Sequence, residues 1–359
     1  MTVIRSRVSI VAVALLLSTL AIPISSSSGC GSSSNRLLDQ ISGIEIMSTV
    51  VDLQSFGTRE FHTSSAEESA LYIEEQMDSL GLEAHMQEFD VDGVAVANVA
   101  AVLNPDLEAD QVFLIGAHYD SENSQVVNQS EAENITAPGA DDNGSGIGVM
   151  LEIARVLSLA SRFPAAIKFV AFGAEEMGYD SSGGMKGSTE FAKAETEAGV
   201  TFDGVFVIDM VGYRVTAENR ATLVCNEASA PLAQTMTEAA TDFDIDISLL
   251  TVQDERVTYS DHASFWEAGY PSILMVEELY PTTYIPVNPY YHSSADTAEK
   301  LSEEQMTEVA RTVLATILYL TDQGEDSYTL AYYGIAAATF VAAVTVVTLL
   351  LLNRRKGEA

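Results

Sequence analysis

Four short apolar runs constrain this chain most, because each stops at residues that can bind a cation. Val112–Ala117 runs into His118-Tyr119-Asp120, and Ile167–Ala174 into Glu175-Glu176. Val205–Ile208 stops at Asp209, and Ser272–Val276 at Glu277-Glu278. Each run is continuous rather than alternating, as expected of a strand buried on both faces of a parallel sheet. Helical patterns lie between the runs. The alternation predicts an α/β fold, a mostly parallel (mixed) central sheet flanked by helices. In such sheets ligands bind beyond the carboxyl ends of the strands. Those ends carry His, Asp and Glu here, the donor set of zinc sites.

A fifth segment strengthens the pattern. Ala137–Gly146 reads Ala-Pro-Gly-Ala-Asp-Asp-Asn-Gly-Ser-Gly and precedes an apolar helical run, Ile147–Leu159. Asp, Asn and Gly favour a tight turn, and two adjacent carboxylates in one turn call for positive charge. Taken alone, the segment reads more readily as a helix N-cap than as a metal site. Of five histidines, His118 and His292 fall into the constellation, and His62 and His85 read as structural or surface groups. His262 is left between lining the pocket and packing behind a short helix, Ala263–Ala268, capped by Ser260 or Asp261.

In order along the chain stand Gly116-Ala117-His118-Tyr119-Asp120, Pro138–Gly146, Phe172-Gly173-Ala174-Glu175-Glu176, Ile208-Asp209-Met210, Ser260-Asp261-His262, and His292 followed by Asp296-Thr297. This series resembles the co-catalytic dizinc aminopeptidase family, with glutamate carboxypeptidases and glutaminyl cyclases as more distant relatives. The resemblance implies two Zn2+ per chain. His118 and Asp209 would hold one ion, Glu176 and His292 the other, and Asp142 would bridge them. It further implies Glu175 as general base and Asp120 as the partner that orients His118. The chemistry of these residues agrees. Two metals about 3.5–4 Å apart need a bridging carboxylate and activate a water between them. A neighbouring carboxylate that is not a ligand can take the proton and pass it to the leaving amine. A liganding imidazole normally donates its other N–H to an acceptor, and His118-x-Asp120 supplies one.

One stretch departs from the family. Tyr179–Lys186 lengthens the loop after the Glu-Glu pair and can reshape the substrate pocket. Glu277-Glu278 takes no role from the resemblance and is either a partner for a substrate ammonium group or a solvated strand end.

Before the first ligand segment, Glu67–Leu80 has helix-forming composition, and Leu82–Asp90 with Val94–Leu103 reads as a hairpin turning at Asp92-Gly93. Further elements are expected at Thr189–Ala198, Ala221–Cys225, Pro231–Phe243 and Leu301–Leu320. Both chain ends read as membrane elements. Residues 1–30 carry Arg5 and Arg7, then the apolar Val8–Ile22, then serines, the pattern of a secretory signal. Ser27-Ser28-Gly29-Cys30 resembles a lipoprotein processing site, with ordinary signal cleavage as the alternative. Residues 31–36 would be a tether and 37–325 the zinc peptidase domain. Ala331–Leu352 has no charge and is long enough to span a bilayer; Arg354-Arg355-Lys356 follow in the tail 353–359. The positive-inside rule puts that tail in the cytoplasm and the catalytic domain outside a single-pass cell-membrane anchor. Sequons at Asn128 and Asn134 suit an exported chain.

Composition narrows the partners. With 52 acidic against 17 basic residues, the formal net charge of -35 excludes a nucleic-acid partner and suits a salt-rich setting. Two cysteines make no disulfide framework. The expected substrate is a peptide with a free N-terminus, and the oligomeric state is left open. The other readings are a glutaminyl cyclase-like acyltransferase working with one zinc, a carboxypeptidase, and a non-catalytic peptidase-like binding module.

Overall fold

Fully apolar runs separated by amphipathic helices produce a sheet buried on both faces. The computed structural model describes residues 36–103, 111–124, 135–160, 163–176 and 184–321. The expected signal, Cys30, both sequons, the span 331–352, the basic tail and most of the lengthened loop lie outside the described residues. Among the described residues no helix is long and apolar enough to cross a membrane.

The strands are β1 (His85–Val91), β2 (Val94–Leu103), β3 (Val112–His118), β4 (Ala166–Phe172), β5 (Gly204–Ile208), β6 (Arg220–Cys225), β7 (Ser248–Gln253) and β8 (Ser272–Val276). They form one eight-stranded sheet in the order β1-β2-β4-β3-β5-β8-β6-β7. Its centre, β4-β3-β5-β8, is parallel. Antiparallel pairing begins where β2 meets β4 and where β6 meets β8. The sheet is therefore mixed, with β6 and β7 again parallel at the far edge, and the ends of its parallel centre carry the candidate ligands.

Helices cover both faces. They are α1 (Gly43–Ser55), α2 (Ser64–Ser79), α3 (Gly146–Ser158), α4 (Lys186–Glu197), α5 (Ala230–Asp242), α6 (His262–Glu267) and α7 (303–321). Strand β3 shows why the run had to be continuous. Phe113, Ile115 and Ala117 pack towards the α1, α3 and α7 side. Leu114, between them, packs with Phe191 of α4 and Phe265 of α6 on the other face. Successive side chains of a strand point to opposite faces, so burial of both faces leaves no position for a polar residue.

Helix α1 and strand β7 are additions to the expected elements. Ser42 caps α1 by accepting from the Glu45 amide, and Ile46, Val50 and Leu53 bury its inner face. Strand β7 lies at the sheet edge with little burial, so it carries almost no hydrophobic pattern. At α6 neither expected cap operates: Asp261 occupies the N-cap position without a side-chain cap bond.

Candidate metal centre

The parallel strands deliver their carboxyl ends to one edge of the sheet. His118 is the last residue of β3, Glu175 and Glu176 follow β4, and Asp209 follows β5. The Asp141-Asp142 turn enters from the start of α3, and His292 arrives on the long connection before α7. All seven residues singled out for the site meet here or directly behind it.

The geometry is centred on Asp142. Its Oδ1 lies 3.2 Å from His118 Nε2, and its Oδ2 lies 3.1 Å from His292 Nε2. His118 Nε2 is also 3.4 Å from Asp209 Oδ1, while His292 Nε2 is 3.1 Å from Glu176 Oε2. One carboxylate thus faces two imidazoles, each accompanied by a further acid. Glu175 Oε2 stands 4.0 Å from His118 Nε2. The ligand atoms of His118, Asp142 and Asp209 lie within 4.8 Å of one another, as do those of Glu122, Glu176 and His292.

These groups fit a divalent cation. Asp142 Oδ2, Glu176 Oε1, Asp209 Oδ1 and His292 Nε2 are buried, yet none makes a well-formed hydrogen bond among the described residues. Buried polar atoms are rarely left so. Here they converge on one region and offer imidazole nitrogen and carboxylate oxygen, which zinc prefers when no thiolate is near. The only described cysteine, Cys225, is buried in β6.

The electrostatics of the protein groups point the same way. Burial opposes ionisation of Asp142, but the His118 and His292 imidazoles facing it hold its pKa well below the usual carboxylate range. Burial likewise opposes protonation of His292, and Glu176 and Asp142 overcome it, pushing the pKa up to about 12. His118 behaves similarly: Glu175 and Asp209 outweigh burial and raise it well above the ordinary imidazole value. Burial raises Glu176 to about 8 and Glu175 well above its ordinary value. Carboxylates outnumber imidazoles, so the cluster demands added positive charge, and a bound cation would reverse the upward shifts of the imidazoles and glutamates while reinforcing the downward shift of Asp142.

The framework behind the site is as specific as the site. Asp120 does more than face His118. Its oxygens accept from the amides of Glu175 and Glu176, both at 3.1 Å, and so fix the Glu-Glu turn. His118 Nδ1 lies 3.3 Å from the Asp120 carbonyl oxygen and 3.6 Å from its carboxylate. Asp296 plays the matching part for the aspartate turn, accepting from the Asp141 and Asp142 amides at 2.9 and 3.1 Å. Asn143 joins the turn to β5: its Oδ1 accepts from Gly146 and Met210, and its Nδ2 donates to the Ile208 carbonyl. Gly139, with φ of +51°, allows the reversal that leads into Asp141.

Four non-glycine residues beside the cluster also have positive φ: Ala174 (54°), Met185 (60°), Met210 (49°) and His292 (51°). Such conformations cost on the order of 1–3 kcal/mol each and persist only where neighbours over-determine them. The neighbours are visible. The Lys186 amide donates to the Ala174 carbonyl, and the Glu277 amide to that of Met210.

Arg59 and Asn143 were not singled out in the sequence, and Arg59 carries no motif that would mark it. It is fully buried and donates to the carbonyls of Tyr119, Leu53, Pro138 and Gly139. It therefore ties α1, the end of β3 and the aspartate turn together. Burial lowers its pKa to about 10 despite the surrounding acids, so it stays charged at neutral pH. Arg59→Met should destabilise the fold by about 3 kcal/mol or more, since several buried carbonyls lose their donor. Urea unfolding of the two proteins checks this. Arg59→Lys should not restore stability, because one ammonium cannot span a fork of four carbonyls.

One reading is corrected here, and one left open is resolved. Glu277 is not a solvated strand end and does not reach the pocket. It is 1 % exposed, its Oε2 accepts from the Tyr213 amide, and burial together with Asp141 raises its pKa well above the ordinary value. Glu278 does lie at the surface, 3.8 Å from Arg220. His262 does not line the pocket either: it is buried, its Nε2 pairs with the Val257 carbonyl at 2.9 Å, and its ring packs edge-on against Trp266.

A cavity of about 760 Å3 opens onto the cluster. Asp142, Glu175, Glu176, Asp209 and His292 form its acidic floor. Its other walls are largely apolar, including Leu274, Val276, Leu279, Tyr284 and Ile285. Met185, at the end of the lengthened loop, also lines it, and its amide donates to the Glu175 carbonyl at 2.7 Å.

Comparison with known proteins accords with this arrangement. Residues 98–317 match the sequence model of Peptidase family M28. A probable leucine aminopeptidase of Trichophyton verrucosum is 27% identical over 305 residues, covering 82% of this chain and 76% of its own length. The zinc aminopeptidase BSAP from Bacillus subtilis has the same fold, with a TM-score of 0.64 at 20% identity over 77% of this chain and 95% of its own. A glutaminyl cyclase of Bacteroides thetaiotaomicron, bound to N-acetylhistamine, shares the fold at a TM-score of 0.64 and 19% identity, covering 78% of this chain and 98% of its own.

Proposed function

This chain belongs to peptidase family M28, and we propose that it is a zinc aminopeptidase using two zinc ions to remove N-terminal residues from peptides. The observation that carries this reading is the division of Asp142, one oxygen towards His118 and Asp209, the other towards His292 and Glu176. A single-ion site has no need of a carboxylate shared between two such sets. His118 and Asp209 would hold one zinc, His292 and Glu176 the other, and Asp142 both. When bound, zinc supplies Lewis acidity, polarising the scissile carbonyl and lowering the pKa of water.

The remaining work falls to the chain. Glu175 accepts the proton of the attacking water and returns it to the leaving amine. Asp120 keeps Glu175 and Glu176 in their separate tasks by holding both amides. The acidic floor suits the free ammonium of a peptide N-terminus, and the apolar walls suit a large apolar first side chain. On the strength of the signal-like and apolar terminal stretches alone, we also propose that the domain is exported and anchored in the membrane.

The experiment is a panel of aminoacyl amides. Leucyl and phenylalanyl substrates should be cleaved and aspartyl ones poorly. Tyr280–Val287 is a strap closed by a β-bridge between Leu279 and Pro286, and Tyr284 anchors it through Asp254 at 3.2 Å. Ile285 forms its wall on the cavity. Ile285→Ala should therefore raise kcat/KM for phenylalanyl relative to leucyl substrates by roughly tenfold. An unchanged ratio would place the first side chain elsewhere.

A further inference from the structure

The two imidazoles of the cluster are supported in parallel ways, and one support has no assigned role. His118 has its Nδ1 facing Asp120, 3.6 Å away. His292 has its Nδ1 facing Glu122, 3.7 Å away, with side chains only 17 % and 20 % exposed. Both acids belong to the segment that leaves β3, two and four residues past His118. The same segment holds the backbone of His292. Ser124 donates to the His292 carbonyl through its amide and through its hydroxyl, both at 3.0 Å. Tyr291 stacks on the imidazole with ring centroids 3.7 Å apart. His292 also has a φ of +51°, a conformation that needs such outside restraint.

We infer that Glu122 is the positioning residue for His292. Its carboxylate favours the tautomer with hydrogen on Nδ1, which turns the Nε2 lone pair towards Asp142 and Glu176. Ser124 fixes the main chain while Glu122 orients the ring. The segment after β3 thereby orients both imidazoles, His118 through Asp120 and His292 through Glu122. This inference rests on the reading of His292 as a zinc ligand. The alternative is direct ligation, since Glu122, Glu176 and His292 offer atoms within 4.8 Å of one another.

The test measures zinc affinity by chelator competition for the wild type, Glu122→Ala, Glu122→Gln and His292→Ala. Glu122→Ala should weaken by about 10–100-fold the same zinc that His292→Ala loses. Glu122→Gln keeps a carbonyl acceptor for Nδ1–H but is a poor zinc ligand, so it should recover most of the affinity. Unfolding of Glu122→Ala in chelator should match the wild type. Wild-type affinity in Glu122→Ala would overturn the inference. So would a glutamine variant as weak as alanine, which would make Glu122 a ligand, or an equal loss of metal-free stability, which would assign it to the fold. Retention of both zinc ions by His292→Ala would instead sink the underlying reading of His292.

Discussion

Glu175→Gln should lose about 10²–10⁴-fold in kcat while binding zinc as the wild type does. The carboxylate stands farther from the imidazoles than the other acids, 4.0 Å from His118 Nε2, although it offers an atom within 4.8 Å of those of His118 and Glu176. Its neighbour Glu176 is 3.1 Å from His292 Nε2. The amide of glutamine matches glutamate in size and keeps the turn pinned, because Asp120 holds the backbone N–H and not the side chain. What glutamine cannot do is take a proton from water. The loss should therefore appear in kcat with little change in KM. Zinc counted on the inactive variant is the control. Retained turnover would remove Glu175 from the mechanism.

Asp142→Ala should have an equally large effect for a different reason. Its two oxygens face the two histidines, at 3.2 and 3.1 Å. Removing them leaves His118 with Asp209 and His292 with Glu176, too few donors for either ion. Bound zinc should fall from two to at most one per chain and turnover to background. The fold should survive, because Asp296, Asn143 and Arg59 hold the turn through main-chain atoms or neighbouring residues. The metal-free protein offers a second readout. The folded-state pKa of Asp142 is depressed, so its stabilisation is present above the unfolded carboxylate value and is lost as pH falls through the folded one. The variant should therefore show a weaker decline of metal-free stability in acid. A variant that keeps two zinc ions would show that Asp142 does not bridge.

The central sheet was readable because burial on both faces forces uninterrupted apolar runs, and ligands at their carboxyl ends mark the direction of the strands. Helix α1 was readable in principle: Ser42-Gly43-Ile44-Glu45 has the spacing of a capping box, with Ile46, Val50 and Leu53 following at helical intervals. Its β-branched residues obscured that signal. Arg59 and Glu277 were not readable. Nothing local distinguishes an arginine that will meet four carbonyls, three of them far along the chain, from one on the surface. A glutamate after a buried strand reads as solvated until the fold brings the Tyr213 amide and Asp141 against it. The same holds for Glu122, whose partner His292 is 170 positions away along the chain.

The most direct test of the account counts zinc on the purified protein while following a leucyl peptide and a glutaminyl peptide. Two zinc ions per chain with release of free leucine is the predicted result. One zinc with conversion of the glutaminyl peptide to pyroglutamate would contradict it and identify a cyclase. Bound zinc with neither product would contradict it too, leaving a peptide-binding module on a peptidase fold.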